Sequence, residues 1–435
     1  MQFVSTRGSG HGVGLSEAIT RGLAPDGGLY VPDALPCITR SDFDQATDMA
    51  DVARILLRPF VAEDPLAAHL AAILPDAFNF PVPLVDVDGA GGPLSVLELF
   101  HGPTAAFKDV GARFLAAALE RIPRPDPRRL TILVATSGDT GSAVAAAFFG
   151  RPWVDVVVLY PRGLVSARQE KQLACWGGNV RTLSVAGTFD HCQRMVKEAF
   201  VDADLARALL LSSANSINVG RLLPQMVYYA RTSLELWRRD GRAPHFIVPS
   251  GNLGNAAACL WTKAAGLPIG DVVLATNANL TVTDFLRTGS WQPRASVATL
   301  ASAMDVGNPS NMERLRWLYP ETGRLGGQMS AHAVTDDEIR ETIRRDYADL
   351  GRVWCPHTAT AAYVYRQLPA ARRLDRWVLV ATAHPAKFND IVEPLIGTDV
   401  PVPAPLAKLL ALPSAQIHVE ARLDDLRSVL RQPSN

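Results

Sequence analysis

The chain has 435 residues, 48% hydrophobic and 20% charged, a composition that supports a sizeable buried core and excludes a disordered polypeptide. Lys+Arg and Asp+Glu both number 43, so no net charge recruits it to nucleic acid or to a membrane surface. Five scattered cysteines without CxxC spacing and nine dispersed histidines without an HExxH pair argue against a disulfide framework or a metal site; with no basic-then-apolar leader and no bilayer-long apolar stretch, they point to a reducing cytoplasm.

Length alone allows two or three domains. Residues 1 to about 90 mix turns ("APDGG", "VPDALP") with an Ala/Leu-rich helical stretch near Pro65–Leu74. From about residue 93 strands and helices alternate: "PLSVLELF" as a strand, "FKDVGARFLAAALERI" with helical periodicity, "RLTILVAT" as a β-branched strand and "GSAVAAAFFG" as a small-residue helix. "WVDVVVLYP" and "VRTLSVAG" are further buried strands, and the pattern resumes with "HFIVPS", "DVVLATN" and "WVLVATA". Apolar strands spaced by helices mean βαβ units and largely parallel sheets. Two clusters, near 130–190 and 245–385, predict two α/β domains with a cleft between them. The expected division is an N-terminal segment 1–92, a large domain built from 93–128 and 221–435, and a small domain 129–220.

Ligands of open α/β sheets sit beyond the carboxyl ends of the strands, so the segments after the strands carry the functional signal. After "RLTILVAT" come Ser137, Gly138, Asp139 and Thr140 at a helix start, where hydroxyls and free N–H groups suit a carboxylate-sized anion; an ordinary N-cap with a turn glycine reads equally well. After "HFIVPS" come Ser250, Gly251, Asn252, Leu253, Gly254 and Asn255. Two glycines three apart let backbone N–H groups close around a single phosphate, whereas the spacing is neither GxGxxG nor GxxxxGK[ST]; a plain strand-to-helix turn is the alternative. Thr382 ends the strand "WVLVATA", where its hydroxyl can face the cleft or simply serve the strand.

A phosphate cradle, a carboxylate cradle and a lysine in an apolar setting suit pyridoxal 5'-phosphate. Its aldehyde bonds a lysine amine whose pKa desolvation lowers. Lys108, between Phe107 and Asp109 in "HGPTAAFKDV", is the candidate. Lys171 and Lys197 sit in charged helical segments, while Lys387 in "HPAKF" is a serious rival that composition does not separate from Lys108.

With these residues assembled, the sequence resembles the threonine synthases of the long, bacterial and fungal type over essentially its whole length. The motifs that carry the resemblance, in order, are "STRG", "GLAPDGGLYVP", "ELFHGPTAAFKD", "ATSGDTGSA", "QEKQLACWGGNV", "GTFDHCQRMVKEAF", "ANSINVGRLLPQ", "VPSGNLGN", "AMDVGNPSNMERL", "PHTAT" and "TAHPAKF". It implies the type II fold of pyridoxal-phosphate enzymes: α/β, two domains with mainly parallel sheets, the cofactor in the cleft, and an N-terminal segment. It makes Lys108 the Schiff-base lysine, places Phe107 beside the cofactor, and has Phe107 and Asp109 position the lysine. The stretch Ser250–Asn255 becomes the cofactor-phosphate cradle, and Thr382 the hydroxyl facing the pyridine nitrogen. Asp139 flanks the ring oxygen, Ser137, Gly138 and Thr140 take the substrate carboxylate, and Asn215, Ser216 and Arg221 receive the substrate phosphate. Where the family usually has Phe, this chain has Leu253, a change expected to cost little because backbone N–H groups bind there. Thr6 and Arg7 of "STRG" are either structural or phosphate-adjacent.

The implied reaction turns O-phospho-L-homoserine and water into L-threonine and phosphate, catalysed by a cytoplasmic enzyme that is a monomer or weak homodimer and uses no metal. The alternative is a related pyridoxal-phosphate lyase or γ-substitution enzyme acting on another γ-activated amino acid. A catalytically dead binding protein is disfavoured by the intact lysine and loops, and a nucleotide-binding protein by the loop spacing.

Overall fold

The computed structural model describes residues 1–8, 10–124 and 126–432. At the N-terminus β1 (Phe3–Ser5) pairs antiparallel with β2 (Tyr30–Pro32). β3 (Leu84–Val87) and β4 (Leu94–Glu98) form an antiparallel pair. There follow β5 (Leu130–Ala135), β6 (Val154–Pro161), β7 (Val180–Ala186) and β8 (Leu210–Ser213), then β9 (His245–Pro249), β10 (Val272–Thr276), β11 (Met329–Ala333), β12 (Trp377–Ala381) and β13 (Ile417–Glu420).

Two sheets result. One runs β11-β10-β9-β12-β4-β3, parallel except for β3, and the other runs β13-β7-β6-β5-β8, parallel throughout. Their central strands are apolar at nearly every position, and β5, β9, β10 and β12 are buried almost end to end. That is the signature of parallel strands covered on both faces, and it is why these four segments stand out in the sequence.

Helices cover the sheets through small residues. The helix Lys108–Arg121 buries Ala112, Ala116, Ala117 and Ala118, and the helix Asp139–Phe148 buries Ala143, Ala145 and Ala147. Gly111 has a sharper reason: a Cβ there would lie 2.7 Å from the Arg221 carbonyl oxygen, so only glycine lets the lysine helix approach the turn that carries Arg221.

The expected division of the chain is wrong at two places. Residues 84–87, assigned to the N-terminal segment, are the edge strand of the large sheet. Residues 417–430, assigned to the large domain, belong to the small one: β13 pairs with β7, and the helix Leu423–Leu430 puts Leu426, Val429 and Leu430 into the core with Leu183 and Val185. The open edge of β7 needs a partner. β13 supplies only one buried side chain, Val419, so no apolar run marks it as a strand.

Candidate active site

The cleft lies where the carboxyl ends of the two sheets meet. Lys108 opens its helix at the first turn, with Phe107 before it, and both line the cleft. The loop that delivers them is stitched to the end of β12. Phe107 N–H donates to the Thr382 carbonyl at 2.9 Å, and His384 N–H donates to the Ala105 carbonyl at 3.0 Å. Asp109 is buried and closes the turn by accepting from Thr104 N–H at 2.9 Å and Thr104 Oγ1 at 2.7 Å. Ala105, within this turn, has φ of 54°, a left-handed conformation costly for a residue with a Cβ.

The two lysines that the sequence leaves undecided separate clearly. Lys387 is fully buried, its Nζ 2.7 Å from Asp139 Oδ1 and donating to the Thr104 carbonyl at 2.8 Å. Lys108 keeps a face open to the cleft and has no carboxylate partner in contact. Burial pulls the Lys108 amine down to about 8; Asp139 opposes this, and Arg221 and Lys387 add to it. An amine so tuned is a competent nucleophile near neutral pH. Burial alone would raise the Asp139 carboxyl, but Lys387 and Lys108 outweigh it and hold the group below the usual carboxylate range.

The loop after β9 carries the second strained residue. Among the described residues only Ala105 and Leu253 are non-glycine with positive φ, and Leu253, at 62°, starts the helix Gly254–Ala264. Its side chain is buried in the main core, so the Leu253 position is a packing site as well as a backbone one. Gly251 is forced: a Cβ there would lie 2.6 Å from the Met304 Cα. Asn252 donates through Nδ2 to Ser216 Oγ at 2.6 Å and accepts from Ser310 N–H at 2.6 Å, tying the loop to its neighbours. Ser250 Oγ donates to the Val248 carbonyl at 2.9 Å. Asn255 accepts at Oδ1 from the hydroxyls of Tyr228 and Tyr229, which turns its Nδ2 away from them.

On the small-domain side Thr136 Oγ1 receives the N–H groups of Gly138 and Gly141, at 3.0 and 2.9 Å, which shapes the turn. Ser137, Asp139 and Thr140 line the cleft; Gly138 does not, and its φ of 131° lets it lie against Gln169. Asn215, Ser216 and Arg221 line the same space. Arg221 is almost wholly buried, donates to the Ala214 carbonyl and reaches the Lys108 carbonyl at 3.5 Å. Burial lowers its guanidinium to about 10, opposed by Asp109. Thr382, directly after β12, faces the cleft.

Thr6 and Arg7 do not line this cleft. Both bind Glu313, at 2.9 Å each, and so anchor the N-terminal segment to the helix Met312–Leu318. Other cleft residues carried no signal of their own in the sequence. Ala303 and Met304 come from the single 3₁₀ turn Ser302–Met304, and His357 from the start of the helix Pro356–Gln367. The motifs "AMDVG" and "PHTAT" contain them, but nothing in the residue types says which side chain turns inward.

Four buried polar atoms on residues lining this cleft lack any partner within the chain: Asn215 Oδ1, Arg221 Nε, Asn255 Nδ2 and His357 Nδ1. Native proteins rarely leave such groups unpaired. Arg221 Nε and Asn255 Nδ2 are donors suited to anions, and the glycine at 251 keeps the cradle free of a side chain. The arrangement fits a phosphate-bearing aldehyde cofactor and an amino-acid phosphate beside it.

Known proteins resemble the chain along its whole length. Residues 78–383 match the family model "Pyridoxal-phosphate dependent enzyme", residues 2–78 "Threonine synthase N terminus" and residues 358–430 "Threonine synthase, C-terminal". The threonine synthase of Serratia marcescens is 40% identical over 433 residues, covering 99% of each chain. The crystal structure of threonine synthase from Escherichia coli superposes with a TM-score of 0.90 at 39% identity, covering 99% of each chain. A pyridoxal-phosphate-bound threonine synthase from Brucella melitensis superposes at 0.89 with 35% identity, covering 99% of each chain.

Proposed function

The chain belongs to the threonine synthase family of pyridoxal-phosphate dependent enzymes, and on that premise we propose how its own residues divide the work. The reaction is the conversion of O-phospho-L-homoserine and water to L-threonine and phosphate. When bound, pyridoxal phosphate supplies an aldehyde carbon that ties an amine and an electron-poor ring that withdraws charge from the carbon bearing it.

The N–H groups from Gly251 to Asn255, with Asn255 Nδ2, would hold the cofactor phosphate at the start of a helix, the Ser250 N–H being taken by the Ala275 carbonyl. Thr382 would offer the cofactor ring a neutral hydroxyl in place of a carboxylate, which would not hold the ring nitrogen protonated. Asp139 would flank the ring oxygen, with its charge balanced by Lys387. Ser137 and Thr140 orient the substrate carboxylate, while Gly138, whose N–H is held by Thr136 Oγ1, shapes the turn that carries them. The Lys108 amine would hold the cofactor aldehyde and, once free, would take the proton from Cα and then serve Cβ. Asn215, Ser216 and Arg221 bind the γ-phosphate, and the buried guanidinium stabilises the charge that develops as the C–O bond breaks and phosphate leaves with its electrons. Water then supplies the hydroxyl at Cβ, Cγ gains a proton and Cα recovers the one it lost, which balances the reaction.

The observation that carries the lysine assignment is the contrast between the two amines: Lys387 spends its charge on Asp139, while Lys108 opens on the cleft with its pKa lowered. The test is an assay of phosphohomoserine with phosphate and threonine measured together. Equal yields are expected; phosphate without threonine would point to a related lyase. The finer reading is a cytoplasmic enzyme acting as a monomer or weak homodimer. Five free cysteines accord with a reducing compartment, and sedimentation measures the mass.

A further inference from the structure

His357 is the second residue of the helix Pro356–Gln367 and is 3% exposed. Its Nε2 accepts a hydrogen bond from Ala303 N–H at 3.0 Å. An imidazole nitrogen that accepts carries no proton, so in the neutral ring the hydrogen sits on Nδ1. The ring is neutral at working pH: burial pushes its pKa down to about 4, Lys108 and Lys387 push the same way, and Asp139 opposes them. The Phe388 ring packs against it at 4.9 Å and adds no polar partner. Nδ1 is therefore an N–H donor, buried, on a residue that lines the cleft, and no acceptor within the chain meets it.

We propose that His357 is a fixed neutral donor to an oxygen of the molecules bound in the cleft, and that it takes no part as a base. The tautomer decides this. The nitrogen able to accept a proton is already engaged by Ala303, and the nitrogen left over can only give a hydrogen bond. Ala303 also sits in the segment that brings Met304 against Gly251. One imidazole thus holds that segment on one side and a ligand on the other. The acceptor is an anionic oxygen, either the ring oxygen of the cofactor or the carboxylate of the substrate. The proposal rests on the cleft being the pyridoxal-phosphate site, which the visible spectrum of the wild-type holoenzyme tests separately.

The first experiment needs no variant. Nitrogen-15 NMR of the wild-type holoenzyme should show the His357 ring as the Nδ1–H tautomer without titration between about pH 6 and 9. An Nε2–H tautomer, or a ring titrating near neutrality, overturns the proposal. In the second, His357→Phe and His357→Asn are compared by cofactor dissociation constant, KM and the pH profile of kcat/KM. The Phe variant should weaken one ligand by about tenfold, the loss of one hydrogen bond to a charged oxygen. The Asn variant, whose amide can donate near the Nδ1 position, should recover part of it. Weakened cofactor with unchanged KM assigns the ring oxygen; raised KM with unchanged cofactor affinity assigns the carboxylate. The acid limb of the profile should survive in both variants. Its loss would make His357 a base, and unchanged affinities together with unchanged KM would make it structural only.

Discussion

Lys387 and Asp139 form a 2.7 Å ion pair sealed from solvent, and the pair joins the end of the large sheet to the first turn of the small domain. The Lys387 ammonium also donates to the Thr104 carbonyl, one residue before the strained Ala105 and four before Lys108. The rival lysine of the sequence is thus a strut for the loop that carries Lys108. Removing only one partner strands a buried charge.

Lys387→Met should therefore destabilise the protein by about 3–5 kcal/mol in urea unfolding, and Asp139→Asn by a comparable amount, while the double variant recovers most of the loss. The Asp139 carboxyl is lowered on folding, so its contribution is present above the ordinary carboxylate range and is lost as pH falls below it. Additive losses in the double variant would show that the two groups do not depend on each other.

Lys108 gives the opposite pH signature. Its folded pKa, about 8, lies below the ordinary 10.5. Below pH 8 the amine is protonated both folded and unfolded, and the cost of burying its charge is carried in full. Between about 8 and 10.5 the unfolded chain binds more protons, so stability rises with pH across that window. Cofactor-free protein should show this rise, and Lys108→Met should flatten it and abolish turnover. A flat wild-type profile would place the amine in water.

Arg221→Ala should lower kcat/KM for phosphohomoserine by about 10²–10³, the loss typical of one buried donor to a developing anion. Arg221→Lys should rescue little, because the guanidinium already spends one arm on Ala214 and an ammonium cannot fork. Unchanged kinetics would remove Arg221 from the phosphate site.

Gly251→Ala tests the cradle without touching a polar group. Its Cβ would meet the Met304 Cα at 2.6 Å, and backbone must move to make room. Cofactor affinity should fall by about tenfold or more, a cost of about 1.4 kcal/mol. Wild-type affinity would mean that the loop tolerates a shift and that Met304 does not set its shape.

The sequence showed the central strands because parallel strands covered on both faces are apolar at every position. It showed the loops after β5 and β9 because glycine and small polar residues gather at strand ends. It could not show β13, whose burial is supplied by one valine and whose reason for existing is the open edge of β7. It could not separate Lys108 from Lys387 by residue type, since the difference is that Asp139, far off in sequence, meets Lys387 and not Lys108. Position 253 was read as backbone alone, yet the chain needs both an αL conformation and a buried side chain there, two demands that one letter does not display. His357 stayed silent because its meaning rests on a hydrogen bond from Ala303.

The return of β13 to the small sheet makes that domain from two separate stretches, with the large one threaded between them. No single cut can excise it. A nick in the connection between residues 410 and 417 would leave the two fragments clasped by the β13–β7 ladder and by Leu426, Val429 and Leu430. Nicked in this way, the enzyme should travel as one particle until denaturant parts it.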